Sequence, residues 1–290
     1  MNSPPDLDMR AVRRAFDDAA ATYDLHAALQ REVADRLLAR LDYTTVKPSL
    51  ILDLGAGTGY CTRQLEQRYP RAHLVLADLA PAMLSAARGS ARRFFSRRHY
   101  VCADARALPL APASVDLIVS SLTLQWCEDL GAVFAGCARI LKPGGLLLFS
   151  TLGPDTLHEL RAAWAAVDDA PHVNRFHDMH LVGDALIHSG FSSPVMERED
   201  LTVTYADVLG LMRDLKGIGA HNAHQQRARA LYGRRQLTRL ADAYERFRRD
   251  GLLPATYETV YGHAWAPQRD TRPQDGSTVA TYPLSQLKRR

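Results

Sequence analysis

Ile51-Leu52-Asp53-Leu54-Gly55-Ala56-Gly57-Thr58-Gly59 is the stretch whose reading decides the fold. An apolar run of strand length ends in an acid and a glycine-rich turn, and Tyr60 to Arg68 behind it reads as helix. Strand, glycine turn and helix N-terminus together make a site for a nucleotide-like ligand. The glycines are spaced G-x-G-x-G. Tyr60 stands where a dinucleotide fingerprint wants its last glycine, which argues against that ligand class. No Gly-Lys-Ser/Thr follows, so a triphosphate would have no lysine to meet it. Asp53 places a negative charge at the strand end, which suits an amine or a sulfonium better than phosphates. A tight turn with no ligand is the plain alternative.

Working outward, Leu50 to Thr151 alternates strand and helix. Strands are expected at Leu50–Leu54, His73–Asp78, His99–Ala103, Val115–Ser121 and Leu146–Thr151, and helices at Tyr60–Arg68, Pro81–Ala87 and Leu130–Leu141. The strands are mostly continuous apolar runs, as a sheet covered on both faces requires. The expectation is a parallel α/β sheet with right-handed crossovers, its ligand at the carboxyl ends of the strands. Those ends carry Asp53, Asp78, Asp104, Ser120-Ser121 and Thr151. An acid at the position of Asp78 accepts hydrogen bonds from ribose hydroxyls, and Asp104-Ala105 is placed to meet an adenine amine and ring. Any one of these acids alone is more simply a solvated or capping carboxylate; three on successive strand ends favour a ligand. Pro81 takes the first helical position, where its missing N–H costs nothing. Ala80 is then the N-cap, forgoing about 1 kcal/mol relative to serine.

The flanks are less regular. Residues 11–41 read as helix, with Val12, Ala15, Phe16 and Ala19 and then Leu29, Val33, Leu37 and Leu41 at helical spacing. Tyr23-Asp24 interrupts the two runs and marks a bend. After Thr151, Asp155–Val167, Phe176–Ser189 and Asp207–Lys216 read as helix, and Pro194–Tyr205 and Thr256–Trp265 as strands six and seven. Gln225 to Asp250 is rich in arginine, and Pro267 to Arg290 in Pro, Gly, Ser and charge. The expected division is therefore a helical arm (1–44), an α/β core (45–204), a helical insertion or lid (205–250), a final core strand (251–266) and a mobile tail (267–290).

Composition sets the class. With 290 residues, 47% of them hydrophobic, the chain has ample material for a core, and its net charge of +4 makes no demand for nucleic acid. No apolar run reaches membrane length, and the first residues lack the basic and apolar regions of a signal peptide. Cys61, Cys102, Cys127 and Cys137 form no C-x-x-C pair and read as reduced, buried thiols of a cytoplasmic protein. His172, His177 and His180 cluster without a metal-binding pattern, so no metal is expected.

Leu50–Thr151 resembles the class I S-adenosylmethionine-dependent methyltransferases, and that donor carries both the amine and the sulfonium that Asp53 suits. The resemblance narrows at Phe16 to Gln30 (FDDAAATYDLHAALQ), Ser121 to Cys127 (SLTLQWC), Phe149 to Leu160 (FSTLGPDTLHEL) and Leu211 to Asn222 (LMRDLKGIGAHN). These look like the malonyl-[acyl-carrier protein] O-methyltransferases of biotin synthesis, over roughly residues 11–265. Ala80, where that family often has serine, is one departure. The resemblance implies a Rossmann-like, mostly parallel seven-stranded sheet with helices on both faces. It also implies a cytoplasmic enzyme that methylates the free carboxylate of a malonyl thioester, so that fatty-acid synthesis can elongate the disguised group.

That reaction sets what the residues must do. A malonate carboxylate is ionised at neutral pH, so no general base is needed, and the task is positioning and desolvation. Charge is annihilated in the transition state, so one moderate polar or cationic contact is expected rather than a buried arginine fork. Expected to hold the cofactor are Asp53, Gly55, Ala56, Gly57, Thr58, Gly59, Asp78, Leu79, Met83, Asp104, Ala105, Ser120 and Leu122. Tyr23, Gln125 and Trp126 are the positioning candidates, Trp126 being either a pocket wall or a core aromatic. Tyr23, Trp126, Arg161, Arg213, Lys216, His221 and Asn222 are candidates to meet the malonyl group. The basic segment 225–250 is either a solvated helix face or a dock for the acidic acyl carrier protein; its arginines match no groove-reading module, and neither nucleic acid nor membrane is an expected partner. Two rivals share the fold: a small-molecule O-methyltransferase, and an assembly factor that binds the same cofactor but acts on a protein.

Overall fold

Ile51 and Leu52 are neighbours on one strand and point to opposite faces of it, and both are completely buried. That single fact requires helices on both sides. The computed structural model describes residues 7–90, 97–220 and 233–267. Helices α1 (Met9–Ala19), α2 (Tyr23–His26) and α3 (Ala28–Ala39) precede β1 (Leu50–Leu54). There follow α4 (Tyr60–Arg68), β2 (His73–Asp78), α5 (Pro81–Gly89), β3 (Arg98–Cys102), β4 (Val115–Ser121), α6 (Leu130–Ile140) and β5 (Leu141–Leu152). Then come α7 (His158–Trp164), α8 (Met179–His188), β6 (Ser192–Tyr205), α9 (Val208–Gly217), α10 (Arg234–Glu245) and β7 (Leu253–Trp265).

The seven strands form one sheet in the order β3-β2-β1-β4-β5-β7-β6. β1 to β5 run parallel, and β7 inserts antiparallel between β5 and β6. Ile51, Leu74, Leu76, Leu117 and Val119 pack against α3, α4 and α5 on one face. Leu52, Leu54, Val75, Ala77 and Ile118 pack against α6 and α8 on the other. Each fully buried Leu or Ile is worth roughly 1.5–3 kcal/mol, which fixes the two layers. A third cluster joins α7, α9 and α10 to Leu253, Ala255 and Tyr257 of β7, beyond the carboxyl edge of the sheet. This is the mostly parallel, two-faced α/β fold expected above.

Several boundaries differ from expectation for local reasons. The arm breaks on both sides of Tyr23-Asp24 rather than at it: Thr22 turns back to the Ala19 carbonyl, and Ala27 separates α2 from α3. The helix expected from Asp155 begins only at His158, because Leu157 has φ +55° and gives its N–H to the Thr256 carbonyl. β5 begins at Leu141, which pairs with Val115 before a register shift. Cys61, Cys127 and Cys137 are buried, whereas Cys102, at the end of edge strand β3, is exposed. Among the described residues no helix is long and apolar enough to cross a membrane. His221, Asn222, the first part of the arginine-rich segment and the tail from 268 lie outside the described residues.

Candidate functional site

The parallel register brings the carboxyl ends of β1, β2 and β4 to one rim. Gly55 leaves β1 with φ +74°, and a Cβ there would lie 1.9 Å from the Thr123 hydroxyl, so only glycine lets the turn close against the loop after β4. Gly57, at φ +52°, has open space where its side chain would be, and its N–H donates to Asp78 Oδ2 at 2.8 Å. Asp78 Oδ1 accepts from Ala80 N–H at 2.8 Å. Burial raises the Asp78 carboxyl above the usual range against those two hydrogen bonds. Asp104 is gripped instead by Arg106, with Nη2 at 2.6 Å, which holds its carboxyl below the usual range.

These groups line a cleft of about 720 Å³, open to solvent, together with Leu79, Met83, Ala105, Leu122 and Trp126. Met9, Val12, Phe16 and Tyr23 of the arm form its remaining wall. The arm is tied down at three points. Ala82 N–H at the start of α5 donates to Asp17 Oδ1 at 3.0 Å, so an arm carboxylate supplies the cap that Ala80 cannot. The Thr58 hydroxyl donates to Asp24 Oδ1 at 2.7 Å, and His26 Nδ1 meets Asp214 Oδ1 at 2.9 Å.

Five expected cleft residues lie elsewhere. Asp53 is 1% exposed and accepts from the Thr62 hydroxyl at 2.5 Å, its carboxyl pushed up to about 6 by burial. Its register partner is Leu76, two residues deeper than Asp78. Ser120 is buried one step below the rim with its hydroxyl on the Leu54 carbonyl, and Ser121 takes its place in the cleft. Ala56 is buried against the α3 and α4 layer. Thr58 is engaged by Asp24, and Gly59, at φ +81°, is the N-cap of α4, with Ala87 3.2 Å from where a Cβ would sit.

A second chamber of about 770 Å³ adjoins the cleft and shares Phe16, Tyr23, Leu122 and Trp126 with it. Trp126 is therefore a wall of both, its ring edge-on to Phe16 at 5.3 Å. The chamber is walled by apolar residues of α3, α7 and α9 and of the loop before α8. Gln125 lies on it, its Nε2 donating to the Leu122 carbonyl at 2.7 Å. Burial raises the Tyr23 phenol, with Asp78 and Asp24 adding to the effect, so it stays protonated. None of the described lining residues of this chamber is Asp, Glu, Lys or Arg. Arg161 is spent on the Pro154 and Thr156 carbonyls at 3.0 and 3.1 Å. Arg213 and Lys216 are exposed on the outer side of α9, whereas Leu215 and Ile218 line the chamber. His172 bonds Asp168 at 2.6 Å and stacks on Trp164.

Residues 52–149 match the Methyltransferase domain family. The malonyl-[acyl-carrier protein] O-methyltransferase of Methylovorus sp. (strain MP688) is 52% identical over 281 residues, covering 95% of each chain. The chain belongs to the malonyl-[acyl-carrier protein] O-methyltransferase family. A biotin biosynthesis bifunctional protein, BioHC of Saccharophagus degradans, is 42% identical over 260 residues, covering 86% of this chain and 45% of that one. Among solved structures, phosphoethanolamine N-methyltransferase 2 of Haemonchus contortus, in complex with S-adenosyl-L-methionine, aligns with a TM-score of 0.54 at 17% identity. The alignment covers 87% of this chain and 57% of that chain, a likeness of fold. In this member of the family, the arm residues Met9, Val12 and Phe16 escape a reading of strand ends. Met9 and Val12 are signalled by apolar spacing along α1, which does not say what that stripe covers; Phe16 shares that spacing and also opens the family-like stretch Phe16 to Gln30.

Proposed function

We propose that the protein methylates the free carboxylate of a malonyl thioester, carried by acyl carrier protein or coenzyme A, giving the methyl ester that starts pimeloyl and biotin synthesis. The observation that carries this reading is the pair of adjoining cavities sharing Tyr23 and Trp126, one carrying Asp78 and Asp104 at strand ends and the other with no charged side chain among its described lining residues. The strand-end cleft suits S-adenosylmethionine: Asp78 for ribose hydroxyls, the bare backbone of Gly57 for close approach, and Leu79, Met83 and Ala105 around an aromatic ring. When bound, S-adenosylmethionine supplies the methyl group, whose bond to sulfur breaks as the bond to the carboxylate oxygen forms.

The chain's own residues need not move a proton. The malonyl carboxylate is already ionised. Tyr23, held neutral, can donate a hydrogen bond at the shared wall but cannot act as a base. Phe16, Leu122 and Trp126 present apolar surface at the junction. Product and transition state carry less charge than reactants, so a dry junction favours the step, and a fixed cation beside the nucleophile would oppose it.

We assign the acidic carrier to the basic segment 225–250; among its described residues Arg234 and Arg235 are exposed at the start of α10, whereas Arg239 and Arg248 bond the Ala166 and Ala206 carbonyls. Acidic carriers meet such a surface faster. This reaction places the protein in the cytoplasm. The test is incubation with methyl-labelled S-adenosylmethionine and malonyl-carrier, malonyl-coenzyme A and acetyl-coenzyme A. Label in a base-labile ester of the first two supports the reading. Label in neither, or in a hydroxyl compound or a protein partner, overturns it. Reversing the charge of Arg234 and Arg235 should raise KM for the carrier substrate alone.

A further inference from the structure

The loop between α7 and α8 places one side chain in an unusual state. Asn174 is 8% exposed and lines the second chamber. Its Oδ1 is buried without a hydrogen-bond partner, and its carboxamide makes no hydrogen bond to a described residue. A buried amide left idle is expensive, and native proteins rarely keep one unless something else engages it. Nothing local holds one end of the group outward, so either its NH₂ or its oxygen can turn to the chamber.

Of the other polar side chains on the chamber, Gln125 has one N–H of its NH₂ on the Leu122 carbonyl, His172 is tied to Asp168, and Thr156 donates to the Glu258 carbonyl. Gln30 is only half-buried, and Tyr23 stands at the wall shared with the cleft, so Asn174 is the buried amide of the chamber with no hydrogen bond of its own. A carboxylate entering a chamber whose described lining residues hold no fixed cation still needs donors, because stripping its water unreplaced is prohibitive. A neutral amide meets that need with little penalty to the step. It binds the carboxylate by hydrogen bonds, yet lowers the nucleophile's energy less than a guanidinium would.

We infer that the Asn174 carboxamide is the group that receives the free carboxylate of the malonyl substrate and aims it across the shared wall at the methyl donor. This assignment rests on the function proposed above and names the positioning residue for it.

The test is calorimetric binding of malonyl-coenzyme A and of acetyl-coenzyme A, which lacks the carboxylate, to the full chain saturated with S-adenosylhomocysteine. The wild type should prefer the malonyl ligand. Asn174→Ala should weaken malonyl binding about ten-fold while leaving acetyl binding alone. Asn174→Asp, which sets like charges together, should weaken it about a hundred-fold. A general distortion of the chamber would weaken both ligands equally, and that result overturns the assignment, as does a malonyl preference that survives in both variants. A wild type that binds the two ligands alike overturns the malonyl reading, and the assignment with it. Unchanged thermal unfolding of Asn174→Ala supports a local effect; if that variant unfolds early, Asn174→Ser carries the same comparison.

Discussion

Asp53 sits in the motif that decides the fold, yet its carboxyl is buried beneath the rim, and that makes a strong prediction about pH. Burial pushes it from its ordinary 3.8 to about 6, against the hydrogen bond from Thr62 and with Asp78 nearby. In the native state it therefore binds a proton more tightly than in the unfolded chain. The stability this proton confers is fully present below about pH 4 and is lost as the pH rises through about 6. At 1.36 kcal/mol per unit, the loss across that window is roughly 3 kcal/mol. Asp53→Asn removes the titration while keeping an oxygen to accept from Thr62. Its new NH₂, left without an acceptor, costs about 1–2 kcal/mol at all pH values. Slope therefore decides the matter, not absolute stability. Urea unfolding at half-unit steps between about pH 4 and 7 should give a wild-type curve that falls relative to the variant by roughly 3 kcal/mol. Donor affinity should change little, because the carboxyl acts on Thr62 rather than on a ligand. Parallel curves, or a hundred-fold loss of donor affinity with the slope intact, would refute this placing of Asp53.

Other consequences are as direct. Gly57→Ala should fold at a cost of about 1–2 kcal/mol for its left-handed backbone, yet lose at least about ten-fold in S-adenosylmethionine affinity by calorimetry, because its methyl group would project into the cleft. Asp17→Ala should cost about 1 kcal/mol in thermal unfolding by uncapping α5, and should weaken donor binding too, since the same bond ties the arm over the cleft. Asp116 accepts from Ser49 N–H and Leu50 N–H, both at 2.9 Å, and meets Lys142 at 2.6 Å. Despite the opposing effect of burial, these hold its carboxyl down at about 2. Asp116→Asn should cost about 1–2 kcal/mol above pH 4, discounted for solvent screening, and the difference from wild type should vanish as the pH falls toward 2.

What the sequence could disclose depended on how local the cause was. The register of β1, β2 and β4 follows from apolar runs and a glycine turn, so Asp78, Leu79, Asp104 and Leu122 could be placed at a rim before any coordinates. Depth and side could not be read as simply. Asp53 shares its side of β1 with Ile51 and lies level with Leu76, which sends it toward α4. Alternation would have shown its side, but its depth is set by where β2 ends. The second chamber was harder, because α3, α7, α9 and the loop before α8 meet there only after the chain has crossed the sheet.

A search for a carboxylate-binding residue turns naturally to cations, and Arg213 and Lys216 on α9 were the obvious choices. The helix had already marked its inner face differently. Val208, Leu211, Leu215 and Ile218 recur at three- and four-residue steps, and it is this stripe that faces inward while the charged residues face water. The chemistry points the same way. A step that erases a negative and a positive charge gains from a neutral chamber and loses from a buried guanidinium, so the idle amide of Asn174 is a better candidate than any arginine nearby. The reaction's demand for low polarity and the helix's apolar stripe are one constraint, seen first in the chemistry and then in the packing.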